Sequence, residues 1–246
     1  MRAPADAPRH RLYVDAALSP GSEIALDAGR SHYLCRVLRL RKDDRVLLFA
    51  GDGDGYDAAV VRADPRACTV AVGERLEREP PPRFELHLAQ ALIKRDRLDS
   101  VLQKATELGV TKITLLDTEH SEVHLSGERI GRRLEHWRGI VVGAAEQSGR
   151  LRLPTLVAPA ELHAFVATAT GARYLLDPGS APLAGAAEAD TVLLLGPEGG
   201  FSNAERALAI GKGFVPVGLG ERILRSDTAP VAALAVLRQA WGWRSP

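Results

Sequence analysis

Cysteine is scarce: Cys35 and Cys68 are the only two in 246 residues. Two thiols cannot build a disulfide framework or a Cys-based zinc site, and so few fits a reducing compartment. No run approaches the roughly 20 consecutive apolar residues that a membrane span requires. The opening stretch, Met1 to Arg11, carries prolines, an aspartate and arginines but no apolar segment, so it does not read as a signal peptide. A cytoplasmic protein with no membrane partner is expected. Net charge is nearly absent as well, at +1, so whole-chain electrostatics points to no partner. Arginine outnumbers lysine 27 to 5, which marks a GC-rich genome before it marks a function. The seven histidines are scattered without ligand spacing, and no metal is expected. What remains, 46% apolar and 26% charged, is the composition of a globular chain able to bury a core, and it excludes disorder for most of the length.

Two rhythms divide the chain. Up to residue 76 the runs are short and β-like: Arg11 to Val14, Arg45 to Phe49, Tyr56 to Val61 and Cys68 to Val72. Asp, Gly and Pro punctuate them closely, as in Gly51-Asp-Gly-Asp-Gly55, and predict a small barrel or sandwich over residues 1–76 with one helix from Ser31 to Leu40. Glu77 to Pro82 is charged and proline-stiffened, and reads as a linker. From 83 to 246 strands alternate with helices. Phe84 to Ala91, Lys112 to Asp117, Tyr174 to Asp177, Thr191 to Leu195 and Phe214 to Val217 are predicted strands. Helices are predicted from Leu98 to Gly109, Glu128 to Gln147, Asn203 to Ile210 and Asp227 to Trp241. Such alternation predicts an α/β domain with a mostly parallel sheet covered on both faces.

Two loops carry the chemistry. In Leu193-Leu-Leu-Gly-Pro-Glu-Gly-Gly-Phe-Ser-Asn-Ala-Glu205 an apolar strand enters a glycine loop, and Ser202 with Glu205 forms an S-x-x-E capping box. Gly196, Gly199 and Gly200 permit close backbone approach to a ligand at the carboxyl end of a strand, although a plain tight turn explains glycines equally well. The loop matches neither a Walker A nor a G-x-G-x-x-G fingerprint. In Val217-Gly-Leu-Gly-Glu-Arg-Ile-Leu-Arg-Ser-Asp-Thr-Ala-Pro230, Ser226 or Asp227 is placed to cap the last helix, with Pro230 in its first turn. Arg222 and Arg225 have no such explanation, because arginine at a helix N-terminus opposes the dipole.

Together these loops resemble the ribosomal RNA small-subunit methyltransferase E family of the SPOUT superfamily. His32-Tyr-Leu-Cys-Arg-Val-Leu-Arg-Leu-Arg41, Lys94, Gln103-Lys-Ala-Thr-Glu-Leu-Gly109 and Ala144-Ala-Glu-Gln-Ser-Gly-Arg150 extend the resemblance over nearly the whole chain, in order. It implies a PUA-like RNA-binding β-barrel followed by a methyltransferase domain with a C-terminal trefoil knot. It also implies S-adenosylmethionine as cofactor, held by three loops: Leu176, Asp177 and Pro178; Leu195, Gly196, Pro197, Glu198, Gly199 and Gly200; and Leu219, Gly220, Arg222, Ile223 and Leu224. The substrate implied is N3 of a uridine in 16S rRNA or the small ribosomal subunit, and the assembly a homodimer with its site at the subunit interface. The chain departs from the family at two points: Asp227 stands where the family usually has Glu, and His120-Ser121 where it tends to have Arg-Ser.

Uracil N3 must lose a proton before it is a competent nucleophile, and the charge left on O2 and O4 calls for a cation. Arg225 is the candidate for that role, with Asp227 or Glu198 as proton acceptor. Glu198 is equally well read as bonding to amides of its own glycine loop. For RNA, residues Arg30 to Arg45 carry a local charge of +4, and His10, Arg11, His32, Arg36, Arg39, Arg41 and Lys94 are candidate contacts, although a solvated arginine-rich face looks the same. Trp137 reads as core or dimer packing rather than a stacking platform. Because N3 lies on the Watson–Crick edge, the base must be unpaired or extruded. Two other readings stand beside this one: a ribose 2′-O methyltransferase on the same scaffold, and a non-catalytic rRNA-binding assembly factor.

Overall fold

The computed structural model describes residues 10–123, 128–183 and 188–242. The chain divides into two compact units, one drawn from Met1–Pro81 and Ala145–Leu153, the other from Pro82–Ala144 and Pro154–Pro246. The sequence reading assigns everything from 83 onward to one domain; residues 145–153 group instead with the first unit.

The first unit is a mixed five-stranded sheet. Its strands are β1 (Arg11–Tyr13), β2 (Glu23–Ala25), β3 (Arg45–Phe49), β4 (Asp54–Arg62) and β5 (Thr69–Arg78), in the order β1-β3-β4-β5-β2. β1 runs parallel to β3 and the other pairs are antiparallel. Among the described residues the edges β1 and β2 do not pair, so the expected barrel is not closed by backbone bonds. Alternation puts Val46, Leu48, Ala58, Val60, Val70 and Val72 into one core with Leu12 and Leu34. Cys68 is fully buried there; burial, then the neighbouring Cys35, pushes its thiol up to about 12, so it packs as an unreactive apolar side chain.

Three local expectations are corrected. The helix expected from Ser31 to Leu40 starts earlier: α1 spans Ala28–His32, capped by Asp27, and passes into a π-helical turn, Tyr33–Val37. Glu77 and Arg78, read as linker, belong to β5, because proline begins only at Pro80 and the exposed charges of the strand find partners. Arg75 and Arg78 both reach Asp54, and Arg11 holds Glu77 at 2.8 Å. β2 was not foreseen, being three residues long and largely exposed. At the close of this unit Glu146 accepts from Tyr13 N at 2.9 Å and from Arg30 at 2.6 Å, while Arg30 lies 5.4 Å from the Tyr13 ring centre. The Glu146 of the A-A-E-Q-S-G-R segment is thus a structural anchor.

The second unit holds a parallel six-stranded sheet. Its strands are β6 (Leu86–Ala91), β7 (Lys112–Asp117), β8 (Thr155–Glu161), β9 (Ala172–Leu176), β10 (Thr191–Leu195) and β11 (Val215–Val217), in the order β11-β9-β10-β6-β7-β8. Helices α2 (Arg95–Glu107), α3 (Glu128–Ser148), α4 (Leu162–Thr168), α5 (Asn203–Gly211) and α6 (Thr228–Ala240) complete the chain. β8 and α4 were not foreseen; their apolar residues are broken by Pro159 and too few to mark a period. β10 explains the two-faced burial expected of the sheet. Leu193 and Leu195 enter the core with α2 and α6, whereas Val192 and Leu194 enter the opposite core with α4 and α5. Trp137 is 3% exposed within the first of these cores, which settles its role as packing. Pro216 is tolerated because β11 is an edge strand. No helix among the described residues is long and apolar enough to cross a membrane.

Within the sheet His87 is 5% exposed, with its Nε2 2.8 Å from Thr114 Oγ1 and its ring edge-on to Phe165. Burial, then the charge of Lys112, pushes its pKa down to about 4. Glu85 lies 3.5 Å away, but it is 45% exposed and shares its oxygen with Lys112, so it does not restore the proton. The unfolded chain therefore binds a proton between pH 6.5 and about 4 that the folded chain refuses. Stability from this group is complete above pH 6.5 and is lost as pH falls toward 4, by about 3 kcal/mol in total. Urea unfolding of wild type and His87→Gln across this range checks it: the difference between them should narrow as the pH falls.

Candidate active site

Four neighbouring strands, β11, β9, β10 and β6, end on the same side of the parallel sheet, and ligands of such sheets collect beyond those carboxyl ends. The loops after β9, β10 and β11 enclose a cavity of about 500 Å³. Leu176, Asp177 and Pro178 come from the first loop. The second gives Leu195, Gly196, Pro197, Glu198, Gly199 and Gly200, and the third Leu219, Gly220, Arg222, Ile223 and Leu224. Every residue proposed from the sequence to hold a cofactor thus lines one cavity, and Arg225 joins them. Asp227 does not line it. Arg97, Leu175, Phe201, Arg206, Gly218, Ser226 and Ala229 also line the cavity and were not singled out for that role.

The loops are shaped by local rules. Ser202 caps α5 in the reciprocal box expected, with Glu205 returning to the Ser202 amide at 2.9 Å. Gly200 and Gly220 have φ of +70° and +100°, a conformation that disfavours any other residue. Gly218 is needed for another reason: a Cβ there would meet the Ser180 carbonyl oxygen at 2.6 Å. Its own N–H donates to Ala181 O at 2.7 Å, and its carbonyl accepts from Leu183 N at 2.9 Å. The chain leaving β11 is thereby stitched to the loop that follows β9.

The expected cap on α6 is absent. Asp227 occupies the N-cap position but has helical dihedrals, and its side chain caps no backbone amide. Ser226 does not cap it either: its Oγ is buried without a partner. With both side chains turned away from that task, the first turn is stabilised by Pro230 and by Arg225 O, which accepts from Thr228 N and Ala229 N.

The charged groups differ sharply in how they are held. Asp177 accepts from Ser180 Oγ at 3.0 Å and from Arg206, whose Nη2 lies at 2.7 Å. Glu198 does not bond to its own glycine loop; its Oε1 accepts from Arg97 Nη1 at 3.2 Å and Lys94 N at 3.4 Å. Its Oε2 is buried without a partner. Arg222 and Arg225 are exposed and form no ion pair among the described residues. His120 takes up the departure from the family pattern: its Nδ1 lies 3.1 Å from Gly200 O, and its Cβ would be 3.1 Å from a side chain at Gly199. It buttresses the glycine loop. Among the described residues, no group of three or more His, Cys, Asp or Glu is placed to hold a metal ion.

The RNA candidates are distributed unevenly. His32, Arg36, Arg39 and Arg41 are exposed on the first unit, His10 is half-buried, and Arg11 is committed to Glu77. Lys94 belongs to the second unit, at the N-terminus of α2, with its Nζ 3.2 Å from Glu122.

Comparison with known proteins agrees with this architecture. A profile of the RNA methyltransferase domain matches residues 79–238, and one of the RNA methyltransferase PUA domain matches residues 26–73. The ribosomal RNA small subunit methyltransferase E of Synechocystis sp. is 36% identical over 236 residues, covering 92% of this chain and 76% of that protein. A putative methyltransferase from Legionella pneumophila, solved with the bound cofactor SAM, is 35% identical, with a TM-score of 0.90 over 95% of this chain and 98% of its own. The ribosomal RNA small subunit methyltransferase E of Neisseria gonorrhoeae, bound to S-adenosyl methionine, is 29% identical, with a TM-score of 0.86 over 94% and 98%. The chain therefore belongs to the RNA methyltransferases and, within them, to the ribosomal RNA small subunit methyltransferase E family.

Gly218 offers a direct test of how the cavity is held. Gly218→Ala forces backbone apart at the crossing with Ser180 and should cost about 1–3 kcal/mol, as overpacking typically does. Denaturant unfolding measures it. Gly179→Ala is the contrast, having open space at Cβ but a φ of +82°, and should cost nearer 1 kcal/mol through strain alone.

Proposed function

We propose that this protein methylates N3 of a specific uridine in small-subunit (16S) rRNA, using S-adenosylmethionine. The observation that carries this reading is the single cavity formed by the three glycine loops, in a chain of this family. The residues fit the cofactor. Leu195, Leu219, Ile223 and Leu224 offer apolar walls, loop backbone offers close approach, and Glu198 Oε2 and Ser226 Oγ are buried polar atoms without partners. When bound, S-adenosylmethionine supplies a methyl group already activated by its sulfonium. The segment from β11 to α6, tied by Gly218 to Ala181 and Leu183, is read as the threaded part of a SPOUT trefoil knot.

The protein's own share is alignment and proton handling. Glu198 lines the cavity with one oxygen unpartnered, so it is assigned the N3 proton in preference to Asp227. Arg225, exposed and unpaired on the lining, is assigned the charge that appears on O2 or O4. The first unit is read as the PUA-like RNA-binding domain, with His32, Arg36, Arg39 and Arg41 against phosphates, His10 beside them, and Arg11 as a strut. A cytoplasmic homodimer is part of the reading. On α6 Leu234 and Leu237 serve the protomer's own core, leaving Val231, Ala232, Ala235 and Val236 only partly covered. Sedimentation should give a dimer at micromolar concentration; a fully active monomer would remove the shared site.

Mass mapping of nucleosides in rRNA from cells with and without the gene tests the reaction. Loss of one 3-methyluridine is expected; loss of a ribose-methylated nucleotide, or no change, would favour the other readings. For Arg225→Ala, kcat should drop about 10²–10³-fold with RNA affinity little changed, as for loss of an oxyanion-type donor. Higher pH should partly rescue it, because solvent then supplies more deprotonated uridine. Arg225→Lys should recover only part of the rate, since a point charge does not reproduce the planar fork. A normal kcat with a raised KM for RNA would make Arg225 a phosphate contact. Asp227→Asn should be close to wild type.

A further inference from the structure

Arg97 lines the cavity from outside the three loops. It stands in the first turn of α2, after β6, the sheet neighbour of β10. Its charge opposes the helix dipole there, whereas Asp96 in the same turn suits it, so helix stability does not account for Arg97. Instead its guanidinium crosses to the loop after β10. Arg97 Nη1 lies 3.2 Å from Glu198 Oε1, the oxygen that also accepts from Lys94 N at 3.4 Å. Arg97 is 35% exposed and Glu198 only 18%. The carboxylate is therefore held asymmetrically. One oxygen takes both protein donors, and the other is buried with none.

We infer that Arg97 is a positioning residue: by holding Oε1 it fixes Glu198 at the cavity wall, where Oε2, covered in the ligand-free protein, turns to the bound substrate and takes its N–H. A carboxylate oxygen only accepts, so a ligand that pairs with it brings the hydrogen. The imide N3–H of the target uridine is such a group. Its N–H bond breaks toward Oε2, the proton stays on the carboxyl group, and the electron pair stays on N3. This rests on the methyltransferase reading above. The cofactor's ammonium and ribose hydroxyls are also donors, and the test separates them from the base.

The experiment is a double-mutant cycle on the full-length protein. It uses Arg97→Met, Glu198→Gln and the pair, with methyl transfer to small-subunit rRNA, calorimetric binding of S-adenosylhomocysteine, and thermal melting as readouts. Glu198→Gln should lower kcat by about 10²-fold or more, the scale of a lost general base. Arg97→Met should lower kcat about tenfold or more with KM for RNA and S-adenosylhomocysteine affinity nearly unchanged. Because Arg97 acts through Glu198, the double variant should be no slower than Glu198→Gln alone, within about twofold. Arg97→Lys keeps the charge, should recover most of the rate, and keeps the test decisive if the Met variant melts early. Full activity in folded Arg97→Met, or losses that multiply in the double variant, would overturn the inference. A fall in S-adenosylhomocysteine affinity that tracks the fall in kcat would also overturn it, by turning Oε2 toward the cofactor. Wild-type protein that binds no S-adenosylhomocysteine would overturn the methyltransferase reading itself, a result distinct from an active Arg97→Met.

Discussion

The second unit depends on one backbone crossing. Where the chain leaves β11, Gly218 lies against the loop after β9 so closely that no side chain fits, and two backbone hydrogen bonds fasten it to Ala181 and Leu183. Loop 176–178 and loop 219–224 owe their adjacency to that contact. So does the direction of α6, which starts ten residues later and returns Leu234 and Leu237 to the core beside α2. A cavity built at such a crossing takes its shape from backbone, which side-chain rotamers cannot relax. Preorganisation of this kind lowers the ordering cost when a ligand binds.

Much of this was legible in the chain because the signals were local. The five strands expected in the second unit and the capping box at Ser202 followed from apolar runs and a four-residue motif, and each lies within two residues of its expected place. The gathering of three separated loops into one cavity was legible only through family resemblance, since nothing in Leu176-Asp-Pro178 alone distinguishes it from a turn. Other features were illegible for physical reasons. Arg97 meets Glu198 across 101 positions, and no periodicity encodes that pairing. Glu146 lies near the end of the long helix α3, yet it groups with the first unit, where it accepts from Tyr13 N and Arg30, a pairing that no helical period encodes. The missing cap at Asp227 shows the converse. A residue of the right type at the right position left its capping site empty.

Arginine content, uninformative in bulk, becomes informative once partners are known. Arg97, Arg206, Arg222 and Arg225 all line the cavity. Arg206 is spent on Asp177 and Arg97 on Glu198, each joining a loop to a helix. Part-exposed pairs of this kind contribute on the order of 1 kcal/mol to stability, so their value lies in fixing geometry. Arg222 and Arg225 have no acidic partner among the described residues, and both stand near the N-terminus of α6, where the dipole is already positive. Two cations held against a positive helix end are an electrostatic expense for the free protein. On the proposed reading it is offset when a base acquiring negative charge enters the cavity. Such an arrangement stabilises a charge-developing state more than a neutral ground state, which is the differential that catalysis requires.

The two unpartnered polar atoms sharpen the same point. Glu198 Oε2 can only accept, whereas Ser226 Oγ can donate or accept, and both belong to residues on the lining of a cavity that combines leucine, isoleucine, proline and glycine with four arginines and Asp177. Apolar walls favour any ligand of suitable shape about equally, because one methylene more or less changes affinity by only about 1–3 kcal/mol. Buried polar atoms add a further filter, since a ligand that pairs with them offsets a cost the free protein already carries. On the proposed reading, selectivity rests on the polar groups of the lining, with shape left to the backbone. Replacing a side chain that only buttresses a loop, as His120 does, can then leave the recognition chemistry intact. On the proposed reading, moving Glu198 by the width of one hydrogen bond cannot.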